Sequence, residues 1–455
     1  MELSISKNLE IIRAVFSTQA GNPEPHIKEQ IAAIGHTLVE GFKDSGKTTS
    51  EIKEELELWA EKYLPEVEQL VVDAVKAELK HNSDYSVTFA VWSGPPGTGK
   101  ETNIDAMSIS CELLHDAYKE KKREIPKSIQ QLLKMNTDDK GSIITGTGGM
   151  TNVPKGEYEP MFGELSHLIG DLSKKGDFIG DNFISVLLEL MIALRISQGF
   201  QKIQIDLWPR TKKQIELYDN LLVKLRVAGV MVYTEMINLR LLTQQEVTAM
   251  KENVLIYADK SVEIGKLIKQ KLKSPEFIAK VAPLEEMDHH TDAVKIYELA
   301  DTAVSSLMDE VKTELDAAHN PAVRIIIGEM ERAVDRMKAR FERTIRKGEV
   351  PRADGLPHYQ MNRLVIFVTD TSPAFMRAST DHVVDFISSF QSPGEVVAEI
   401  LESALIKLEK GAFKREYPVI WKTLLHIASH VADQIVVGEQ VNKAPLKGQL
   451  LAIIP

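Results

Sequence analysis

Ser93-Gly-Pro-Pro-Gly-Thr-Gly-Lys-Glu-Thr102, SGPPGTGKET, is the stretch from which the rest of the chain is read. It follows Tyr85–Trp92, a run rich in Val, Phe and aromatic residues that reads as a buried strand. His81-Asn82-Ser83-Asp84 marks a turn before that strand, and a helical pattern begins after the glycines. Strand, glycine-rich loop and helix in this order form the context a phosphate-binding loop requires. Gly94, Gly97 and Gly99, with Thr98 between them, let the backbone wrap closely round phosphate oxygens. The loop amides and the helix N-terminus then face the anion, and Lys100 reaches it as a point charge.

Working outward, Glu51–Lys80 carries apolar residues at helical spacing, including Leu56, Trp59, Leu64, Val67, Val71 and Val75. Further strands are predicted at Lys202–Leu207 and Val227–Glu235, and another at Arg363–Thr371. From Leu239 to Ile345 the pattern is almost entirely helical, punctuated by Pro275, Pro283 and Pro321. Short apolar strands separated by long helical stretches predict an α/β fold with a parallel sheet.

The 455 residues suggest two or three domains, or one with large elaborations. The net charge of −11 argues against general nucleic-acid binding, which draws its affinity from Lys and Arg. It leaves room for a small phosphate ligand held by a few local cations. The single cysteine, Cys111, makes no intrachain disulfide and no multi-cysteine metal site. No run of about 18 apolar residues occurs and the N-terminus is too polar for a signal-peptide core, so a soluble, cytoplasmic protein with no membrane partner is expected. The adjacent His289-His290 point to different helix faces and are a poor metal pair. Asp138-Asp139 reads as solvated loop.

The residue after Lys100 is Glu101, where most such loops carry Ser or Thr, and Thr102 comes one position later. That shift resembles adenylate kinases, which typically show lysine, glycine, then threonine. Further segments agree in order. Ile143–Asn152 resembles the family's monophosphate segment at Thr147, Gly148 and Met150. Leu172–Glu189 resembles the turn that follows it, at Gly176, Ile179 and Asp181. Ile205–Gln214 is similar to the family's Asp-Gly-Phe-Pro-Arg-Thr-x-x-Gln at Asp206, Pro209, Arg210, Thr211 and Gln214, with Trp208 in place of Phe. Pro351–Leu364 resembles the Arg-x-Asp-Asp segment and its following arginine at Arg352, Asp354 and Arg363, and Thr371-Ser372-Pro373 resembles Thr-Ala-Pro. About half of the chain is covered.

The resemblance implies a P-loop parallel-sheet core with helices on both faces and large helical elaborations. The expected divisions are an N-terminal helical extension over 1–84, a kinase-like core over 85–235 and 332–408, with 143–181 as the monophosphate segment, a helical insertion at the family's lid position over 236–331, and a C-terminal helical extension over 409–455. It implies a nucleoside monophosphate kinase that transfers the γ-phosphoryl of ATP, with AMP as the acceptor, and magnesium arriving with ATP near Thr102 and Asp206. Lys100, Arg210, Arg352, Arg363 and Asp206 would be catalytic. Gly94, Gly97, Thr98, Gly99, Lys100, Thr102, Arg332 and Arg336 would hold ATP. Thr147, Gly148, Ile179, Arg210 and Gln214 would hold the monophosphate, and Asp354 would help close the lid. Arg240 competes with Arg332 and Arg336 for a triphosphate role. Four positions depart from the family: Glu101 for glycine, Gly149 for aspartate, Asn152 for the arginine that clamps the monophosphate, and Gly355 for the second aspartate.

Two other classes share features of this sequence. An AAA-type ATPase shares the GPPGTGK spelling, but predicts threonine after the lysine and a strand ending in Asp-Glu, where this chain has Glu101 and Asp206-Leu207. A catalytically degenerate scaffold would keep the nucleotide domain and use its helical arms as candidate protein-binding elements.

Overall fold

The computed structural model describes residues 47–129, 142–145, 172, 179–197, 200–206, 208–288, 291–351, 355–378, 382–400 and 412–455. The elements in chain order begin α1 (Thr49–His81), β1 (Ser86–Ser93), α2 (Lys100–Glu120), β2 (Ser142–Thr145) and α3 (Asp181–Ser197). There follow β3 (Lys202–Asp206), α4 (Lys212–Val227), β4 (Met231–Arg240), α5 (Gln244–Glu252), α6 (Val254–Leu272) and α7 (Pro275–Val281). The rest are α8 (Ala293–Glu314), α9 (Pro321–Arg346), α10 (Pro357–Ile366), α11 (Ser372–Met376), β5 (Val383–Ser388), α12 (Ala412–Glu416), α13 (Pro418–Val437) and α14 (Lys443–Ile453). This is an α/β fold, mostly helical, with a parallel sheet.

The chain divides into two compact units, Met1–Phe89 with Ser142–Tyr233, and Ala90–Gly141 with Thr234–Pro455. In the first, the sheet order is β2-β3-β1, and β2 runs parallel to β3 with Thr145 opposite Asp206. α1 opens with a capping box in which the Thr48 backbone amide donates to Glu51 Oε2 at 2.8 Å. Its carboxylate Glu57 receives the backbone amides of Asn182 and Phe183 at 3.0 and 3.1 Å, which caps α3. Thr211 caps α4 in the same manner, its hydroxyl accepting the Gln214 amide at 3.1 Å.

In the second unit the order is β1-β4-β5, with β4 parallel to β5 and Arg240 opposite Ser388. Helices α5 to α11 share one continuous apolar core with β5, among them Met250, Ile264, Leu307, Ile327, Leu364 and Phe386. α2 packs against α13 and α14.

Two expectations are corrected. The strand expected at Val227–Glu235 is β4 at Met231–Arg240, because Val227 closes α4 and a turn separates the two. The strand expected at Arg363–Thr371 is the end of α10 followed by a π-helical turn at Phe367–Thr371. Met361, Leu364, Val365 and Val368 are buried at helical spacing, so the β-branched bias of RLVIFVTDT is overridden by packing. β2 and β5 are strands that composition did not mark. No helix among the described residues is long and apolar enough to cross a membrane.

Candidate functional site

The glycine loop lies in the second unit, between the end of β1 at Ser93 and the start of α2 at Lys100. Gly94, Gly97 and Gly99 all have positive φ, at 143°, 83° and 78°. Two of them also permit close approach. A Cβ on Gly94 would stand 2.2 Å from the Leu239 carbonyl oxygen, and one on Gly97 would stand 2.7 Å from Cβ of Arg336. Any side chain there would push the loop off β4 or off α9.

The ammonium of Lys100 is gathered by its own loop. It donates to the carbonyls of Gly94 and Pro95 at 2.9 and 3.2 Å and lies 3.3 Å from Thr98 Oγ1. The Thr98 hydroxyl donates to the Pro95 carbonyl at 2.9 Å. Asn103 ties the loop to α2, its Nδ2 and backbone amide donating to the Gly99 carbonyl at 2.9 and 3.0 Å. Thr98, Lys100 and Asn103 are all buried, whereas Glu101 is exposed and Thr102 half-buried. The sequence motif alone gives Asn103 no role, although its position four residues after Gly99 is the spacing of a helical back-bond.

α9 crosses the same loop. Its Arg332 donates from Nε to the Leu241 carbonyl at 2.7 Å and pairs with Glu246 at 3.2 Å. It is therefore a strut between α9 and the end of β4. Arg336 has its guanidinium 5.7 Å from the ring centroid of half-exposed Phe390. Arg240, the competing candidate, is buried. It donates from Nε to Glu329 at 2.8 Å and from Nη1 to Ser372 at 2.9 Å, and its guanidinium lies over the Phe367 ring. Those partners commit Arg240 to holding α9 and α11 against the sheet. Arg363 is half-buried on α10.

The first unit holds the other described candidates. Asp206 is buried at the last position of β3. Trp208 follows, buried, with its indole 5.3 Å from the Tyr218 ring in an edge-on contact, and the Trp208–Pro209 peptide is cis. Asp181 is the hub of this end. Its Oδ1 accepts from the Thr211 hydroxyl and from Gln214 Nε2, both at 2.9 Å. Gln214 Oε1 in turn accepts the Arg210 backbone amide at 2.7 Å. The structure thus brings Asp181, Arg210, Thr211 and Gln214 together from two distant segments. The amide of Gln214 is buried and engaged on both sides, so reading a base with it requires an exchange of partners. Ile179 is buried two residues before Asp181. Thr147, Gly148, Arg352 and Asp354 lie outside the described residues, as do Gly149, Asn152, Asp138, Asp139, His289 and His290.

Comparison with known proteins found no matching family model, no matching curated protein and no matching solved structure.

Proposed function

We propose that this chain is a P-loop phosphotransferase that moves the γ-phosphoryl of ATP to a nucleoside monophosphate, AMP. The observation that carries the reading is the loop itself: three glycines at positive φ curl round the buried ammonium of Lys100 at the junction of β1 and α2. An ammonium presented by backbone carbonyls, with loop amides and a helix N-terminus beside it, is suited to exchange those carbonyls for phosphate oxygens. Phosphoryl transfer asks a protein mainly for positioning and for charge stabilisation. Lys100 and Arg336 supply cations at the donor phosphates, and Arg210 supplies one for the acceptor, its backbone held by Gln214. Arg352 and Arg363 would act on the transferring group, with Asp354 in lid closure. Thr147, Gly148 and Ile179 would complete the monophosphate site.

Magnesium is expected to come with ATP, and the hydroxyl of Thr102 and the carboxylate of Asp206 are each oxygen donors of the type a hard cation takes. Magnesium bound with ATP would supply neutralisation of charge on the phosphates. No structural metal is part of this reading.

Glu101 favours a second reading. An exposed carboxylate in the first turn of α2, beside the phosphate loop, repels a bound triphosphate and suits a protein that binds nucleotide without turnover. A coupled assay with magnesium-ATP and each monophosphate in turn, with a no-acceptor control, separates the readings. ADP formed only with AMP supports the kinase. ADP without acceptor points to an ATPase of the AAA type. Measurable ATP binding without turnover points to the scaffold.

A further inference from the structure

The register of α9 continues past the phosphate loop. At 100° per residue, Arg332, Arg336, Arg340, Arg343 and Lys347 fall on one stripe about 80° wide. The stripe has a direction. Arg332 fastens it to the end of β4, and Arg336 sets its Cβ against Gly97 in the phosphate loop. Arg340, Arg343 and Lys347 then carry it onward, all exposed. Among the described residues, the side chains of Arg336, Arg340, Arg343 and Lys347 make no ion pair with a carboxylate. Of the acids of the same helix, Glu329 falls within the angular range of the stripe but is buried against Arg240, while Asp335, Glu342 and Glu331 lie about 60°, 80° and 100° beyond its edge, Glu331 already paired with Lys312. In a chain of net charge −11, a row of four uncompensated cations is a local concentration of positive field.

We propose that this stripe binds a linear polyphosphate chain longer than a triphosphate, one end of which lies in the phosphate loop. The proposal rests on the phosphate-loop reading and extends its substrate class. From Arg336 to Lys347 the helix rises about 16 Å, so cations recur each turn along a line that starts at Gly97. A flexible chain with a negative charge on every unit can follow that line and meet a guanidinium or ammonium at each turn. The stripe is one side chain wide, which matches a single strand of phosphates. A duplex or a membrane surface needs a broader face. The chain is either inorganic or carried by a nucleoside, since both present the same phosphates to α9.

Calorimetric titration of the full chain decides the matter, using ATP, adenosine tetraphosphate, inorganic tripolyphosphate and long-chain inorganic polyphosphate. The expected result is that long polyphosphate binds at least about fivefold more tightly than tripolyphosphate, with a steeper loss of affinity in salt. The double variant Arg340→Gln/Arg343→Gln is expected to lose that preference and keep ATP affinity, and Arg343→Glu is expected to reverse it. Circular dichroism checks that the variants are folded. A gain already present with adenosine tetraphosphate assigns the nucleoside-linked source; a gain confined to long inorganic chains assigns the free polymer. Equal affinity for short and long chains overturns the proposal. So does a preference that survives both variants, or an equally tight single-stranded RNA of matched charge. Failure of wild-type protein to bind magnesium-ATP would refute the phosphate-loop reading instead, and leaves the length preference readable by itself.

Discussion

Lys100 makes its contacts through one nitrogen, and three loop oxygens surround it. On the proposed function, Lys100→Ala removes one preorganised charge from the phosphate site and is expected to lower turnover by about a hundredfold or more. Wild-type-like turnover in that variant would remove the loop from the mechanism. Gly97 tests the loop's backbone. Gly97→Ala combines a φ of 83° with a clash against Arg336, and should cost about 1–3 kcal/mol in urea unfolding, with weakened ATP binding. Glu189 on α3 is a different kind of residue. It is fully buried, neither carboxyl oxygen has a hydrogen-bond partner among the described residues, and burial first, then neighbouring Glu68, push its carboxyl well above the usual carboxylate range, against the opposing pull of Lys224. The folded state therefore keeps a proton that the unfolded chain releases near its ordinary value of 4.5. Its contribution to stability is complete below that pH and is lost as pH rises towards the raised folded value. Glu189→Gln should flatten this fall in stability above the ordinary carboxylate value, and an unchanged pH–stability profile would refute the assignment.

At the scale of elements, α9 is positioned by a buried ion pair. Arg240 and Glu329 face one another almost free of solvent, and Glu329 also accepts the Leu241 amide at 2.9 Å. Removing one partner strands the other charge in the core. Arg240→Met alone is expected to cost about 3–5 kcal/mol in denaturant unfolding, and Arg240→Met with Glu329→Leu markedly less. Single and double variants of equal stability would show that the pair does not hold the helix. The same contact explains why the helical stretch after β4 does not stand apart. α5 to α9 pack into one core with α10, α11 and β5. Gly265 of α6 allows this closeness at the π-helical turn, because a Cβ there would stand 2.0 Å from Thr369 Oγ1.

For the whole molecule, the proposed nucleotide binding and the proposed catalysis are separable by linkage. A ligand that binds only the folded state at a hundred times its Kd adds about 2.7 kcal/mol. For a domain of about 150–250 residues each kcal/mol moves Tm by about 2–4 °C. Magnesium-ATP should therefore raise Tm by several degrees, and Lys100→Ala should abolish the rise. A shift without turnover would leave binding intact and favour the scaffold reading. No shift at saturating nucleotide would refute nucleotide binding altogether.

Much of this architecture is local and so is written in the sequence. The glycines at Gly94, Gly97 and Gly99, the Tyr85–Trp92 run and the helical spacing after Glu51 each act through neighbours along the chain, and each appears where the residues place it. The π turn after α10 and the edge strand β5 were not readable in the same way. VVDFIS is short and only half buried, and RLVIFVTDT carries β-branched residues at positions that also suit a helix, so packing against α6 decides its form. The roles of the arginines were the least legible. Arg240, Arg332 and Arg336 are equivalent as letters. Tertiary structure buries the first against Glu329, spends the second on the Leu241 carbonyl, and lays only the third against the glycine loop. The reason is physical: a guanidinium takes its function from whichever acceptors the fold brings to it, and those acceptors lie about ninety residues away for Arg240 and Arg332.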